Sequence, residues 1–257
     1  MPTYRLSVEY DGTGFHGLQY QPALRTVAGA LEAALARLFH ETVKIVAAGR
    51  TDAGVHATAQ VVSFTAAMAF PIDRLALALN ANTPPDLAVC EAALVDDAFS
   101  ARFDALERTY DYVILNRPYP SALWRRRAWF VPRPLDAELF RDAAAPLLGE
   151  RDFASFCRVP PDGGSTVRDL RGIDLACEGD FRRVTVRANA FLHHMVRLLV
   201  GTLVDVATGY RDPGYAQRAL EARTRGSAGT SAPAHGLYLA GVRYAGFATY
   251  QPVRLSP

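Results

Sequence analysis

The sequence predicts an α+β protein built from two tandem ferredoxin-like halves, each a βαββαβ unit whose strands join an antiparallel sheet with helices packed on one face. Three observations point there. A length of 257 residues, half of them hydrophobic, exceeds a usual single domain and supplies an ample core. Strand and helix periodicities follow one another in the order β, α, β, β, α, β through the first part of the chain. After Phe103-Asp104 the same order begins again, so domains are expected at 1-105 and 106-257.

Residues 3-10 alternate, with Tyr4, Leu6, Val8 and Tyr10 on one face and Thr3, Arg5, Ser7 and Glu9 on the other, as in a half-buried strand. Over 26-39, Val27, Leu31, Ala34, Leu35 and Leu38 form the apolar stripe of an amphipathic helix. Short strands are expected at 43-48 and 59-65. A helix opened by Pro71, with Ile72, Leu75 and Leu79 inward, and a strand near 87-94 complete the first half. The second half predicts a strand at 107-115, a helix at about 135-148, strands near 167-177 and 181-189, a long helix at 191-208 and a final strand at 237-244. Pro, Arg and Gly make loops of 116-134 and 157-166, and Gly226, Gly229 and Pro233 make another of 209-234.

A net charge of only +2 does not by itself announce a nucleic-acid partner. Lys44 is nevertheless the sole lysine, and arginine has the planar fork that suits phosphates and base edges. Arg125-Arg126-Arg127, and Arg182-Arg183 with Arg187, are clusters able to form a local phosphate track. On the strand at 181-189, Arg183, Thr185 and Arg187 share a face that is either merely solvated or contacts phosphates. Cys90, Cys157 and Cys177 are odd in number and contain no Cys-x-x-Cys pair, which argues against a disulfide framework or a zinc site. No apolar run reaches the roughly 18 residues of a spanning helix, so a cytoplasmic chain without membrane or export segment is expected.

The stretch from Gly49 to Ala57 places Asp52 between two glycines and beside Arg50, in a segment too irregular for the core. Asp52 is expected to stand exposed at a loop tip, where an ionised carboxylate acts as nucleophile or base. Arg50 is its nearest electrostatic partner, since an adjacent cation lowers an acid's pKa. The run Gly12-Thr13-Gly14-Phe15-His16-Gly17 matches a dinucleotide-binding G-x-G-x-x-G only literally. No helix opens directly after it, and the ribose-binding acid about 20 residues on is missing. Its glycines are expected to shape a loop near a large ligand.

The helix at 191-208 is apolar nearly all round, with Arg197 in its middle. A buried guanidinium requires a partner or a route to water; Asp52, Asp205 or another acid would serve, as would a side chain reaching outward along its stem. His193-His194 do not suggest a metal site, because adjacent helical residues point about 100° apart and no Glu or His follows at i+3 or i+4. Tyr110 and Tyr112 alternate with Ile114 on one strand face, either as core packing or as a platform on which a base stacks.

Five ordered motifs now carry a resemblance that runs from end to end. They are Tyr10 to Gly17 with Gln19-Tyr20-Gln21, Gly49 to Ala57, Phe99 to Ala105 followed by Arg108-Thr109-Tyr110, Phe191 to Arg197 with Gly201, and Ala232-Pro233 with Gly236-Leu237-Tyr238-Leu239. In these the chain closely resembles the bacterial tRNA pseudouridine synthases of the A family, which modify the anticodon stem-loop. The Arg-Thr-Asp-Ala-Gly-Val-His box is highly specific, whereas the glycine-rich start alone is weak. Leu18 stands where the family usually has Trp, and His235 where it commonly has an acid.

The resemblance implies an isomerase that needs no cofactor. It implies Asp52 as catalytic aspartate, Tyr110 as the tyrosine that stacks on uracil and accepts a proton, and Arg197 as the ion-pair partner of Asp52. Arg50 would assist base flipping, and Leu237 would pack against the uracil ring. Target uridines at tRNA positions 38, 39 and 40 and a homodimer follow from the same resemblance. The competing class is a non-catalytic RNA-binding module of ferredoxin-like fold, against which stands the lack of an RNP1-like aromatic run.

Overall fold

The computed structural model describes residues 1–158 and 163–255. Its elements in chain order are β1 (Thr3–Tyr10), α1 (Val27–Phe39), β2 (Val46–Ala47), β3 (His56–Thr65), α2 (Ile72–Asn80), β4 (Leu87–Val95), β5 (Glu107–Leu115), β6 (Trp129–Phe130), α3 (Ala137–Ala144), β7 (Gly149–Asp152), β8 (Val167–Glu178), β9 (Phe181–Ala188), α4 (Met195–Ala207), α5 (Tyr215–Ala222), β10 (Leu237–Tyr244) and β11 (Phe247–Ala248). The protein is α+β. It divides into two compact units, Met1–Leu106 with Tyr238–Pro252, and Glu107–Leu237 with the tail from Val253. A second domain running unbroken from 106 to 257 is therefore corrected. The returning strand β10 pairs with β3 of the first unit, Tyr238 opposite His56 and Leu239 opposite Ala57, and takes residues 238–252 with it.

In the first unit β1 lies between β3 and β4, antiparallel to both, while β2 pairs with the far half of β3. Thr26 caps α1, its Oγ1 accepting the Gly29 amide at 3.2 Å. The helix buries Val27, Leu31, Ala34, Leu35 and Phe39, and Phe39 packs against Tyr4 and Phe64, which stack at 5.0 Å. Val27, Leu31, Leu35 and Phe39 each contribute about 1.5–3 kcal/mol by leaving water. Strand β1 is not half-buried as its alternation suggested. Thr3, Arg5 and Ser7 are buried as well, because the β10–β11 hairpin brings Phe247 under the Arg5 guanidinium at 4.4 Å while Glu91 pairs with it at 2.6 Å.

In the second unit the strand order is β5-β9-β8-β7, all antiparallel, with β6 parallel to β5. The parallel pairs β3–β10 and β5–β6 depart from the purely antiparallel sheets expected. Strand β6 and helix α5 arise inside stretches read as loop, and strand β7 in the stretch after the expected helix, for which no element was expected. Helix α5 was concealed in 209-234, since only Ala216, Ala219 and Leu220 of it are buried. Helix α3 stops at Ala144, where Pro146 turns the chain into a 3-10 turn. Of the expected loop at 157-166, residues 159-162 lie outside the described residues.

The basic face of β9 is not bare. Thr185 donates to Asp111 at 2.7 Å, Arg183 binds the Val253 carbonyl at 2.9 Å and Glu178 at 3.1 Å, and Arg187 pairs with Asp174 at 2.8 Å. Asp111 also accepts the Val253 amide at 3.0 Å, and its burial pushes its pKa up. The C-terminal tail thus covers part of that face. Among the described residues no helix is long and apolar enough to cross a membrane.

Candidate active site

Asp52 belongs to the first unit, in the loop that joins β2 to β3. It is half-buried rather than exposed, and Arg50 two residues earlier is exposed. The loop is held on both flanks. Before Asp52, the Gly49 carbonyl accepts from Gln60 Nε2 at 2.8 Å, and Thr51 Oγ1 meets the Tyr10 hydroxyl at 2.8 Å. Burial raises Tyr10 to about 12, so the phenol stays neutral and keeps its proton for this network. After Asp52, the Val55 amide turns back onto the Asp52 carbonyl at 3.1 Å, and the Gly54 amide reaches the Phe15 carbonyl at 3.4 Å. Each neutral hydrogen bond is worth only about 1 kcal/mol net, but together they leave the loop little room to move.

The glycine-rich segment after β1 shapes a loop whose glycines meet protein backbone. It packs on the backbone of the Asp52 loop. A Cβ on Gly12 would lie 2.0 Å from the Val55 carbonyl oxygen, and Gly17, at φ +90°, would place one 2.9 Å from that of Thr51. The Leu18 amide donates to the Thr51 carbonyl at 3.0 Å, so Leu18 takes part through its backbone. The Gly12 amide donates to His56 Nδ1 at 3.0 Å. An Nδ1 that accepts there cannot also carry the proton of an ion pair with Asp11, 3.2 Å away. His56 in turn stacks on Tyr238 at 4.7 Å, which fixes the start of β10 beside the start of β3. Tyr10, Gln60 and His56 escaped sequence reasoning because partners about 40 or more residues apart leave no periodic signal.

Tyr110, Arg197 and Leu237 belong to the second unit. Tyr110 lies on β5 opposite Val186 of β9, buried, with its ring meeting Phe191 edge-on at 5.1 Å and 88°. Arg197 is not in mid-helix. Helix α4 begins at Met195, after His194 adopts a left-handed φ of 66° and the Met195 amide closes a turn on the Leu192 carbonyl. Arg197 therefore occupies the first turn, half-buried, where the helix dipole disfavours a cation by about 0.3–1 kcal/mol. A residue kept in an unfavourable place points to a use there. The same late start removes the reason given for separating His193 from His194, whose rings lie 4.2 Å apart.

Arg197 Nε donates to the Ala232 carbonyl at 2.7 Å, and the Ala232 amide donates to the Arg197 carbonyl at 3.0 Å. One turn on, Gly201 leaves space for the Thr230 carbonyl, which a Cβ would meet at 1.6 Å. Asp205, the alternative partner for Arg197, accepts the Thr230 amide at 2.9 Å instead. Tyr112 donates to the Pro233 carbonyl at 2.8 Å, and its ring fills the space beside Gly236. Segment 230–237 thus bridges α4 and β5 and delivers the buried Leu237 at the head of β10. Burial pulls His235 below its usual pKa, with the Arg197 charge adding to it, against a bond to the Ala128 backbone that works the other way.

A family profile described as "tRNA pseudouridine synthase" matches residues 6–104 and 143–245. The tRNA pseudouridine synthase A of Paramagnetospirillum magneticum (strain ATCC 700264 / AMB-1) is 45% identical over 245 residues, covering 95% of this chain and 96% of that protein. The tRNA pseudouridine synthase A of Methylobacterium sp. (strain 4-46) is 46% identical, covering 95% and 98%. That of Halalkalibacterium halodurans is 42% identical, covering 90% and 89%. A solved Cbf5-Nop10-Gar1 complex aligns at 11% identity with a TM-score of 0.32, over 78% of this chain and 53% of the other, too weak to carry an argument.

Proposed function

We propose that this chain, which belongs to the tRNA pseudouridine synthase family, isomerises uridine to pseudouridine at positions 38, 39 and 40 of the tRNA anticodon stem-loop, with Asp52 as its nucleophile. The carrying observation is the Asp52 loop, pinned on both flanks by Gln60, Tyr10, Leu18 and Phe15, since covalent chemistry needs a carboxylate whose supporting shell is itself fixed.

In the reaction the N1–C1′ bond breaks, the uracil turns, C5 joins C1′, the C5 proton leaves, and N1 takes up a proton from solvent, so that substrate and product are isomers. Nothing is oxidised or reduced, and no cofactor enters. Asp52 attacks C1′, promotes a glycal or adds to C6; each route requires it ionised, and Arg197 is assigned to keep it so. Uridine must first leave its stack, at a cost of a few kcal/mol, with Arg50 assisting the flip. Tyr110 and Leu237 then hold the ring between them, and the Tyr110 oxygen accepts the C5 proton. The two units are read as tandem ferredoxin-like halves, and the enzyme as a cytoplasmic homodimer.

The test uses tRNA transcripts carrying C5-tritiated uridine at only one of the three positions. Tritium release from each, without added nucleotide, is expected. Release from none of the three would overturn the site assignment.

A further inference from the structure

The second unit holds a pocket of about 260 Å³ that the reaction described above does not use. Pro120, Trp124, Trp129 and Phe130 form its apolar walls, and Arg125 and His235 its polar edge. The three aromatic side chains are half-buried, so the pocket keeps aromatic surface open to solvent. Trp124 leans on Phe181 at 4.7 Å and Trp129 meets Tyr112 edge-on at 6.1 Å, which fixes both indoles from behind. The connecting loop is rigid as well. The Trp124 carbonyl accepts the amides of Arg127 and Ala128, at 2.9 and 3.0 Å, and the Trp124 amide donates to Ser121.

Charge selects the occupant. Among the described residues no acidic side chain lines the pocket. Arg125 is exposed at its edge, held over the loop by a 3.0 Å bond to the Ala122 carbonyl. Aromatic walls with an arginine at the mouth are the chemistry that takes an unstacked base and its phosphate. The volume lies below the roughly 300 Å³ at which sites for drug-sized molecules begin, enough for a base but not for a whole nucleotide. Position narrows the choice further. His235 sits in the 3-10 turn Ala234–Gly236, which ends at Leu237, so one short turn supplies both a pocket wall and the residue assigned to the uracil ring.

We infer that this pocket binds a second, non-reacting base of the same RNA, stacked on Trp124 or Trp129 with its phosphate at Arg125. The inference rests on the proposed reaction for the identity of that RNA. The pocket holds the anticodon loop in register while the target uridine reacts elsewhere.

The chain has two tryptophans, and both line this pocket, so intrinsic tryptophan emission reports on it directly. The full chain is titrated with an unmodified anticodon stem-loop transcript, then with transcripts made abasic at one non-target loop position at a time. Tritium release is followed on the same RNAs. Saturable quenching is expected. One abasic position should abolish it and raise KM about five- to 150-fold, the worth of one stacked base, with kcat unchanged. Arg125→Ala, at an exposed position where folding is not at risk, should raise KM and lower the salt slope of binding by about one. Emission unmoved by RNA that is being turned over would overturn the inference, as would quenching that every abasic transcript retains. Quenching without tritium release would uphold the pocket and count against the reaction.

Discussion

Replacing Gly12 with alanine tests whether the glycine-rich segment serves the Asp52 loop. The new Cβ would sit 2.0 Å from the Val55 carbonyl oxygen, and ordinary contact begins at 3.4 Å, so the two backbones must part by about 1.4 Å. Neither is a flexible side chain that can swing aside. Overpacking of this kind costs about 1–3 kcal/mol, or about 2–12 °C in Tm for a chain of this size. The displacement passes to Asp52, because the Val55 amide is bonded to the Asp52 carbonyl. A misplacement near 1 Å costs about a hundredfold in rate. Gly14→Ala is the control, since its nearest obstacle is the end of the Arg25 side chain at 2.8 Å, which can move. Differential scanning calorimetry and tritium release on both variants decide the matter. If Gly12→Ala matches Gly14→Ala in Tm and in kcat, the segment is not a support for the loop.

Three further outcomes follow from the second unit. Tyr110→Phe keeps the ring against Phe191, so the variant should fold while kcat falls about 10²- to 10⁴-fold from the loss of the proton acceptor; an unchanged kcat removes the hydroxyl from the mechanism. Arg197→Met should give folded protein with a severely reduced rate, and circular dichroism with single-turnover kinetics would reveal an idle arginine by an unaltered rate. His235 has a folded pKa below its usual value of about 6.5, so on acidification the unfolded chain takes the proton first. Its contribution is complete above about pH 6.5 and lost as pH falls below that; Tm of wild type should drop more steeply than that of His235→Gln between about pH 7 and 5, and parallel curves would contradict the shift.

Much of the fold was legible because it is periodic. The stripe Val27-Leu31-Ala34-Leu35 gave α1, and the alternations around Tyr4 and Tyr110 gave β1 and β5 within a residue or two. What periodicity cannot carry was missed. The return of β10 to β3 is a choice of partner made some 180 residues away, and the covering of Arg5 by Phe247 follows from it. Helix α5 has too few apolar positions to stand out from a loop. The late start of α4 depends on a left-handed histidine, a conformation no composition announces. Within the site, the box around Asp52 was readable from its glycines and charges. Its supports were not, because the bonds from Tyr10 to Thr51 and from Gly12 to His56 exist only once the chain has folded.

The nucleophile assignment is tested most directly by Asp52→Ala, assayed by tritium release from C5-labelled tRNA and by filter binding of the same tRNA. Product formation should vanish while tRNA affinity stays within about tenfold, a change of about 1.4 kcal/mol. Retained turnover in the purified variant would contradict the account.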